Sequence, residues 1–141
     1  ATGAFTGEIM NAVPVDREGG GAKGLKIILE RLLKNNGIII FPEGTRSFDG
    51  EMLPAQAGIG LTIIKSQAPV VPVRIWTFNA FNRNRTFPKP LMMSVKFGKP
   101  LDVAPLRAKA KSCSKQELRS IYQHAAEATM DAIQKLRPVE D

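Results

Sequence analysis

The chain has 141 residues, of which 43% are hydrophobic and 23% charged, so a packed core is expected and intrinsic disorder is disfavoured. This length predicts a single domain. Because the chain has one cysteine, an intramolecular disulfide and a zinc cluster of several cysteines are excluded. The chain also has one histidine. The net charge of +7 lies within residues 79–111, because acidic and basic residues balance in the rest of the chain.

This concentrated positive charge predicts an anionic partner. The candidates are nucleic acid, an anionic membrane surface, and a phosphorylated or CoA-like substrate. The alternative is a solvated basic loop that only keeps the protein soluble. No apolar run approaches the ~18 residues that a membrane-spanning helix needs.

The first half of the chain predicts a strand, a helix and a second strand. Residues 9–15 are mostly apolar and run into a polar turn, which indicates a strand. Apolar residues recur at helical spacing from Leu25 to Leu33, and Gly37 stands where a helix C-cap belongs. Ile38–Phe41 is an apolar run without alternation, typical of a strand covered on both faces. A helix between two strands makes a βαβ unit, so parallel strands are expected.

The second half predicts two further helices and two further strands. They are a helix over 55–67, a strand over 70–75, a strand over 91–97 and a long C-terminal helix. Gly58 and Gly60 weaken the first of these helices. Pro72 places its strand at a sheet edge or a bulge. The C-terminal helix begins at a capping-box pattern at Ser114 and is stopped by Pro138.

The segment with the most chemical information is 41–47, FPEGTRS, directly after the predicted buried strand. In open α/β sheets, ligands bind beyond the carboxyl ends of the strands. Gly44 permits a close backbone approach or an unusual φ, and Thr45 and Ser47 supply hydroxyls. The guanidinium of Arg46 is a planar fork of donors that matches phosphate oxygens. The loop is therefore a candidate anion cradle, and an ordinary polar surface turn is the alternative.

Two further charged residues belong to this hypothesis. Arg17 ends a similar loop over 13–17, one βαβ unit earlier. If the two strands are neighbours, Arg17 and Arg46 emerge at one sheet edge and can clamp one doubly charged phosphate. The alternative for Arg17 is a surface ion pair with a neighbouring carboxylate. Glu43 fits beside a phosphate only if it orients an arginine or accepts a hydrogen bond from a substrate hydroxyl.

Three segments, in this order, resemble blocks of the glycerolipid acyltransferases, the 1-acylglycerol-3-phosphate acyltransferase family. VPVDR at 13–17 resembles the second block, FPEGTRS at 41–47 is the third letter for letter, and VVPV at 70–73 resembles the fourth. FPEGTRS is highly specific for the family. The other two segments are weak evidence individually, and they support the resemblance because they occur in the same order as the family's blocks. The resemblance spans roughly residues 9–75.

The resemblance implies transfer of a fatty acyl group from acyl-CoA or acyl carrier protein to the free hydroxyl of 1-acylglycerol 3-phosphate. The product is phosphatidic acid for phospholipid synthesis, made at the cytoplasmic face of a membrane without a further cofactor or metal. Glycerol phosphate or a related lyso-lipid is an alternative acceptor. Matching the blocks places these residues at the phosphorylated acceptor: Arg17, Glu43, Gly44, Thr45, Arg46 and Ser47.

One block of the family, the catalytic His-x-x-x-x-Asp, has no counterpart in this sequence. The resemblance gives its histidine the role of general base. His124 is the sole histidine, and Thr129 stands five positions later instead of an aspartate, so a structural or surface role is expected for it. We therefore expect residues 1–141 to be the C-terminal portion of a single acyltransferase domain, inactive alone, with the catalytic block upstream of Ala1.

The expected fold is α/β, with a mostly parallel, partly mixed sheet flanked by helices and incomplete at its N-terminus, as in glycerol-3-phosphate acyltransferases. The expected partners are the acceptor, the acyl donor and an anionic membrane surface. The alternative function is a non-catalytic basic module that binds anionic membranes or nucleic acid. Nucleic acid is not expected, because no recognition motif is present and one Tyr and one Trp offer little stacking surface.

Overall fold

The computed structural model describes residues 22–45, 47, 51–77 and 93–138. These residues form α1 (Ala22–Leu33), α2 (Ala57–Ser66), β1 (Val73–Thr77), β2 (Met93–Phe97), α3 (Ala104–Ala110) and α4 (Lys115–Lys135). The three helices predicted from the sequence correspond to α1, α2 and α4, whereas α3 was not predicted. The α/β class is confirmed at this level.

Helix α1 ends earlier than predicted. The chain turns after Leu33, and Asn35 adopts a φ of 61°, the left-handed conformation that often closes a helix. The backbone and side-chain nitrogens of Asn36 both donate to the carbonyl of Arg31 at 3.1 Å. The C-cap prediction at Gly37 is therefore wrong by two residues, because the short polar side chain of asparagine also tolerates this conformation.

Helix α2 packs against α1, α3 and α4 and so lies at the centre of the described structure. Its two internal glycines stand at the helix crossings. A Cβ at Gly58 would lie 2.9 Å from Cδ1 of Leu25 in α1, and a Cβ at Gly60 would overlap the carbonyl oxygen of Tyr122 in α4. The two glycines lower the intrinsic helix propensity of α2 but permit its close packing against α1 and α4. The tertiary contacts outweigh the low helix propensity.

The hydrophobic core lies where α2, α3 and α4 meet. Its buried members are Ile63, Ile64, Val103, Ile121 and Ala125. The last two lie one turn apart on the apolar stripe predicted for the C-terminal helix.

Helix α4 begins at the predicted capping box, which is confirmed. The Ser114 hydroxyl accepts from the Glu117 N–H at 3.3 Å, and the Glu117 carboxylate accepts from the Ser114 N–H at 2.8 Å. The hydrogen bond from the Ser114 backbone lowers the pKa of the Glu117 carboxyl.

Strands β1 and β2 pair in antiparallel register. The pairing continues beyond them, because the Gly98 N–H donates to the Pro72 carbonyl and the Leu101 N–H donates to the Val70 carbonyl, both at 2.8 Å. The two strands predicted in this part of the chain are confirmed. Pro72 immediately precedes β1 and takes part in this pairing through its carbonyl alone, because proline has no N–H.

The buried strand predicted over 38–41 is not formed among the described residues. The segment pairs with neither described strand, and Ile39 and Phe41 are 89% and 70% exposed. Its predicted parallel partner, residues 9–15, lies outside the described residues. The predicted burial on both faces is therefore not found at Ile39 and Phe41. Because a strand forms by pairing with a neighbour and the predicted neighbour lies outside the described residues, the strand and the mostly parallel sheet stay predictions.

Candidate functional site

The FPEGTRS loop forms a tight turn in its described part, which is all of 41–47 except Arg46. The Gly44 N–H donates to the Phe41 carbonyl at 3.1 Å. Gly44 has a φ of 70°, which glycine adopts without a steric penalty and other residues adopt with strain. The glycine is therefore required by the shape of this turn.

Leu53 and Gln56 hold the loop from one side. The Leu53 N–H donates to Oε2 of Glu43 at 2.7 Å, and the Gln56 N–H donates to the Pro42 carbonyl at 2.9 Å. The Gln56 side-chain amide donates to the Glu43 carbonyl at 3.3 Å. A Cβ at Gly44 would stand 3.0 Å from Cγ of Gln56, so the packing of this residue also favours glycine there.

The Glu43 carboxylate thus has a structural contact that the sequence did not reveal. A 2.7 Å bond from a backbone N–H to a charged acceptor is a strong type of hydrogen bond. It fixes the carboxylate and the backbone of the loop relative to each other. Because Arg46 lies outside the described residues, the predicted contact between the two side chains stays a prediction.

Helix α2 begins directly beside the loop, with Gln56 as its N-cap residue. No side chain caps this N-terminus, and the first turn contains no acidic residue. The first N–H groups of a helix lack intrahelical partners and carry partial positive charge. The start of α2 therefore offers donors to an anion from a position adjoining the loop.

Four of the predicted site residues are described: Glu43, Gly44, Thr45 and Ser47. Thr45 is exposed and Ser47 is half-buried. Arg17 and Arg46 lie outside the described residues, so the arginine clamp on one phosphate stays a prediction.

Arg107, a cation of the basic stretch, has an internal role. Nε and Nη2 of Arg107 donate to the Ile63 carbonyl at 3.1 and 2.8 Å. Its guanidinium also donates to the carbonyls of Gln67 at 3.2 Å and Ala68 at 2.6 Å. Burial lowers the pKa of Arg107. This residue closes the C-terminus of α2, so it is not part of a free cationic surface.

The structure describes four of the other cations of this stretch, and all four are exposed. Lys96, Lys99, Lys109 and Lys111 are exposed. Arg83, Arg85 and Lys89 lie outside the described residues.

His124 is exposed on α4, as expected for a surface residue. Thr129, five positions later, is buried and its hydroxyl donates to the Ala125 carbonyl at 2.8 Å. Within the described ranges, no group of three His, Cys, Asp or Glu side chains could hold a metal ion. Among the described helices, none is both long and apolar enough to cross a membrane.

Sequence reasoning missed Leu53 and Gln56 as supports of the loop. Leu53 acts through its backbone N–H, which every residue except proline has, so its identity carries no signal. Gln56 lies at the start of a predicted helix, and that position was the one available hint.

Comparison with known proteins shows the family of this chain. The Acyltransferase family model matches residues 4–76, more than half of the chain, and this range includes FPEGTRS. The chain belongs to the acyltransferase family. The resemblance inferred from the three sequence blocks is confirmed.

Three curated relatives of this chain are named 1-acyl-sn-glycerol-3-phosphate acyltransferases. The 1-acyl-sn-glycerol-3-phosphate acyltransferase of Limnanthes alba is 35% identical over 81 residues, which are 57% of this chain and 28% of that protein. The enzyme of that name from Cocos nucifera is 32% identical over 97 residues, 66% of this chain and 32% of that protein. The human beta enzyme is 38% identical over 53 residues, 37% of this chain and 19% of that protein.

This chain therefore spans about a third or less of the length of these relatives. No solved structure matches it.

Proposed function

We propose that this chain is the acceptor-binding part of a 1-acylglycerol-3-phosphate acyltransferase. The acyl group passes from acyl-CoA or acyl carrier protein to the free hydroxyl of 1-acylglycerol 3-phosphate, and phosphatidic acid is the product. The observation that carries the proposal is the FPEGTRS loop, tied by Leu53 and Gln56 to the N-terminus of α2. The names of the relatives support the choice of acceptor.

In this proposal the loop receives the acceptor's phosphate. The turn at Gly44 brings backbone close to the ligand, and Thr45 and Ser47 supply hydroxyl donors. Arg46 and Arg17 supply the two positive charges that balance a phosphate dianion. The uncapped start of α2 adds further N–H donors at its positive end.

The attacking hydroxyl must lose its proton as its oxygen bonds to the thioester carbonyl, while the leaving thiolate takes up a proton. His124 is exposed on α4, and Thr129 stands where the family block has its aspartate. We assign the base to a His-x-x-x-x-Asp block in a longer form of the enzyme. The 141-residue chain alone then transfers no acyl group, and phosphatidic acid formed by the purified chain would contradict this assignment.

The proposal includes action at the cytoplasmic face of a membrane, where an acyl-bearing acceptor resides. The exposed lysines at 96, 99, 109 and 111 support an anionic lipid surface as a partner. Each lysine near such a surface contributes about 1 kcal/mol to binding. Co-sedimentation with phosphatidylglycerol vesicles but not with phosphatidylcholine vesicles is the expected result.

A nuclear magnetic resonance titration tests the phosphate site. We expect sn-glycerol 3-phosphate to shift the backbone amide signals of Gly44, Thr45 and Ser47 with saturation, and glycerol to leave them unchanged. Arg46→Ala is expected to weaken the binding at least about tenfold, because a charge-assisted bond to phosphate is lost.

The matched control is Arg119→Ala, which removes an exposed arginine of α4 and leaves the loop intact. Its affinity for sn-glycerol 3-phosphate is expected to equal that of the unmodified chain. Equal shifts with glycerol, or full affinity in Arg46→Ala, would remove the phosphate from this loop.

A further inference from the structure

A cavity of about 310 Å³, open to solvent on one side, lies between the segment after the FPEGTRS loop and the C-terminal half of α4. Its lining residues are Met52, Leu53, Pro54, Met130 and Gln134. Met130 and Gln134 stand one helical turn apart on α4 and so share one face of that helix. The cavity is thus formed by two segments that are distant in sequence.

The lining is apolar and uncharged. Four of its members are apolar residues, and the one polar side chain is that of Gln134, a neutral amide. No lining side chain carries a positive charge that would attract a phosphate. Met52 and Met130 are half-buried, and unbranched methionine side chains adapt to flexible apolar ligands. The chemistry of the lining matches a hydrocarbon chain.

Leu53 connects this cavity to the candidate phosphate site. It lines the cavity, and its N–H donates to the Glu43 carboxylate of the FPEGTRS loop at 2.7 Å. Leu53 therefore contacts the loop through its backbone and also lines the cavity, so the two features adjoin at this residue.

We propose that this cavity binds the fatty acyl chain of the acceptor, between the Met52–Pro54 segment and Met130. The inference rests on the proposed function, because it takes the phosphate of the same acceptor to lie at the FPEGTRS loop. The volume has room for roughly ten water-sized groups, and a methylene group is of similar size. The cavity therefore accommodates a medium-length chain or the first part of a long one.

The test is a chain-length series of 1-acylglycerol 3-phosphates from four to twelve carbons, titrated calorimetrically as monomers against the 141-residue chain. Affinity is expected to rise about two- to fourfold per methylene and to level off near ten carbons. Met130→Gln is expected to flatten this rise while leaving the affinity for sn-glycerol 3-phosphate unchanged. Met130→Leu keeps the apolar surface and is expected to keep the rise.

Met93→Gln is the matched control, because Met93 is 57% exposed on β2 and does not line the cavity. The same substitution there is expected to leave the chain-length series unchanged. Met52→Gln tests the opposite wall and replaces Met130→Gln if that variant loses its helical circular dichroism.

The outcomes separate this inference from the proposed function. A chain-length gain without any affinity for sn-glycerol 3-phosphate supports the cavity and contradicts the phosphate site. Phosphate binding without a chain-length gain, or a gain that survives Met130→Gln and Met52→Gln, overturns the acyl site. If affinity rises with chain length for acyl-CoA but not for the 1-acylglycerol 3-phosphates, the cavity belongs to the acyl donor, and our proposal is overturned. Absence of all binding contradicts both.

Discussion

The close approach of α2 and α4 at Gly60 leads to a prediction opposite to that from helix propensity. Alanine in a helix interior is favoured over glycine by about 1 kcal/mol, so Gly60→Ala should stabilise an isolated helix. In the folded protein a Cβ at this position would overlap the backbone carbonyl oxygen of Tyr122. A backbone atom of a neighbouring helix cannot rotate away as a side chain can, so the two helices must separate.

Separation of these helices would loosen the contacts of Ile63, Ile64 and Ile121 in the core. Overpacking of this kind costs about 1–3 kcal/mol or more, which exceeds the gain in propensity. We expect Gly60→Ala to lower the free energy of unfolding by about 2 kcal/mol, measured by urea denaturation followed by circular dichroism. Stability equal to or above that of the unmodified chain would refute the close crossing.

Two matched variants isolate the steric cause. Gly37→Ala introduces a Cβ with no atom within 4 Å and is expected to change stability by less than about 0.5 kcal/mol. Gly58→Ala meets the flexible end of the Leu25 side chain at 2.9 Å and should fall between the other two. A similar loss in all three would contradict a steric cause at the helix crossing, because the lower backbone entropy of alanine in the unfolded chain acts in the stabilising direction.

Two further predictions concern the ends of helices. Arg107→Ala removes the guanidinium that binds the last carbonyls of α2 and should cost about 2 kcal/mol in urea denaturation, whereas Lys109→Ala on the same helix should cost less than about 0.5 kcal/mol. Equal losses would show that Arg107 does not close α2. The folded-state pKa of Glu117 lies below its ordinary value of 4.5, so its contribution to stability is present above that value and is lost as the pH falls through the folded-state pKa. Glu117→Gln should therefore remove part of the loss of thermal stability between pH 7 and pH 3. If the melting temperature of this variant falls as steeply over this pH range as that of the unmodified chain, the capping box is contradicted.

The sequence predicted the elements whose signals are local. The capping box at Ser114 and the apolar stripe after it predicted α4, because both act between residues within a few positions of each other. The end of α1 was missed by two residues, since Asn35 and Gly37 both tolerate the left-handed conformation and local sequence does not choose between them. Helix α3 has seven residues, which is too short a window for an apolar periodicity to be recognised.

Features that depend on a partner elsewhere in the chain were not predictable in the same way. The apolar run at 38–41 has the composition of a covered strand, but composition does not supply the neighbouring strand that would cover it. Arg107 was counted with the basic surface because its charge is visible in sequence, whereas the carbonyls that it binds are about 40 residues away. The support of the loop by Leu53 uses a backbone N–H and is invisible in sequence for that reason.

The contact of Glu43 with Leu53 also explains an acidic residue beside a candidate phosphate site. A free carboxylate there would repel the ligand, and at a separation of 4 Å two like charges cost about 1 kcal/mol in water and several times more near a protein surface. One oxygen of Glu43 instead accepts the Leu53 N–H, while Gln56 binds the backbone carbonyl of the same residue. The negative charge is thereby used to hold the loop against the start of α2, whose positive end opposes its repulsion. The same Leu53 also lines the open apolar cavity, so the Glu43 carboxylate contacts a residue that adjoins both the FPEGTRS loop and the cavity.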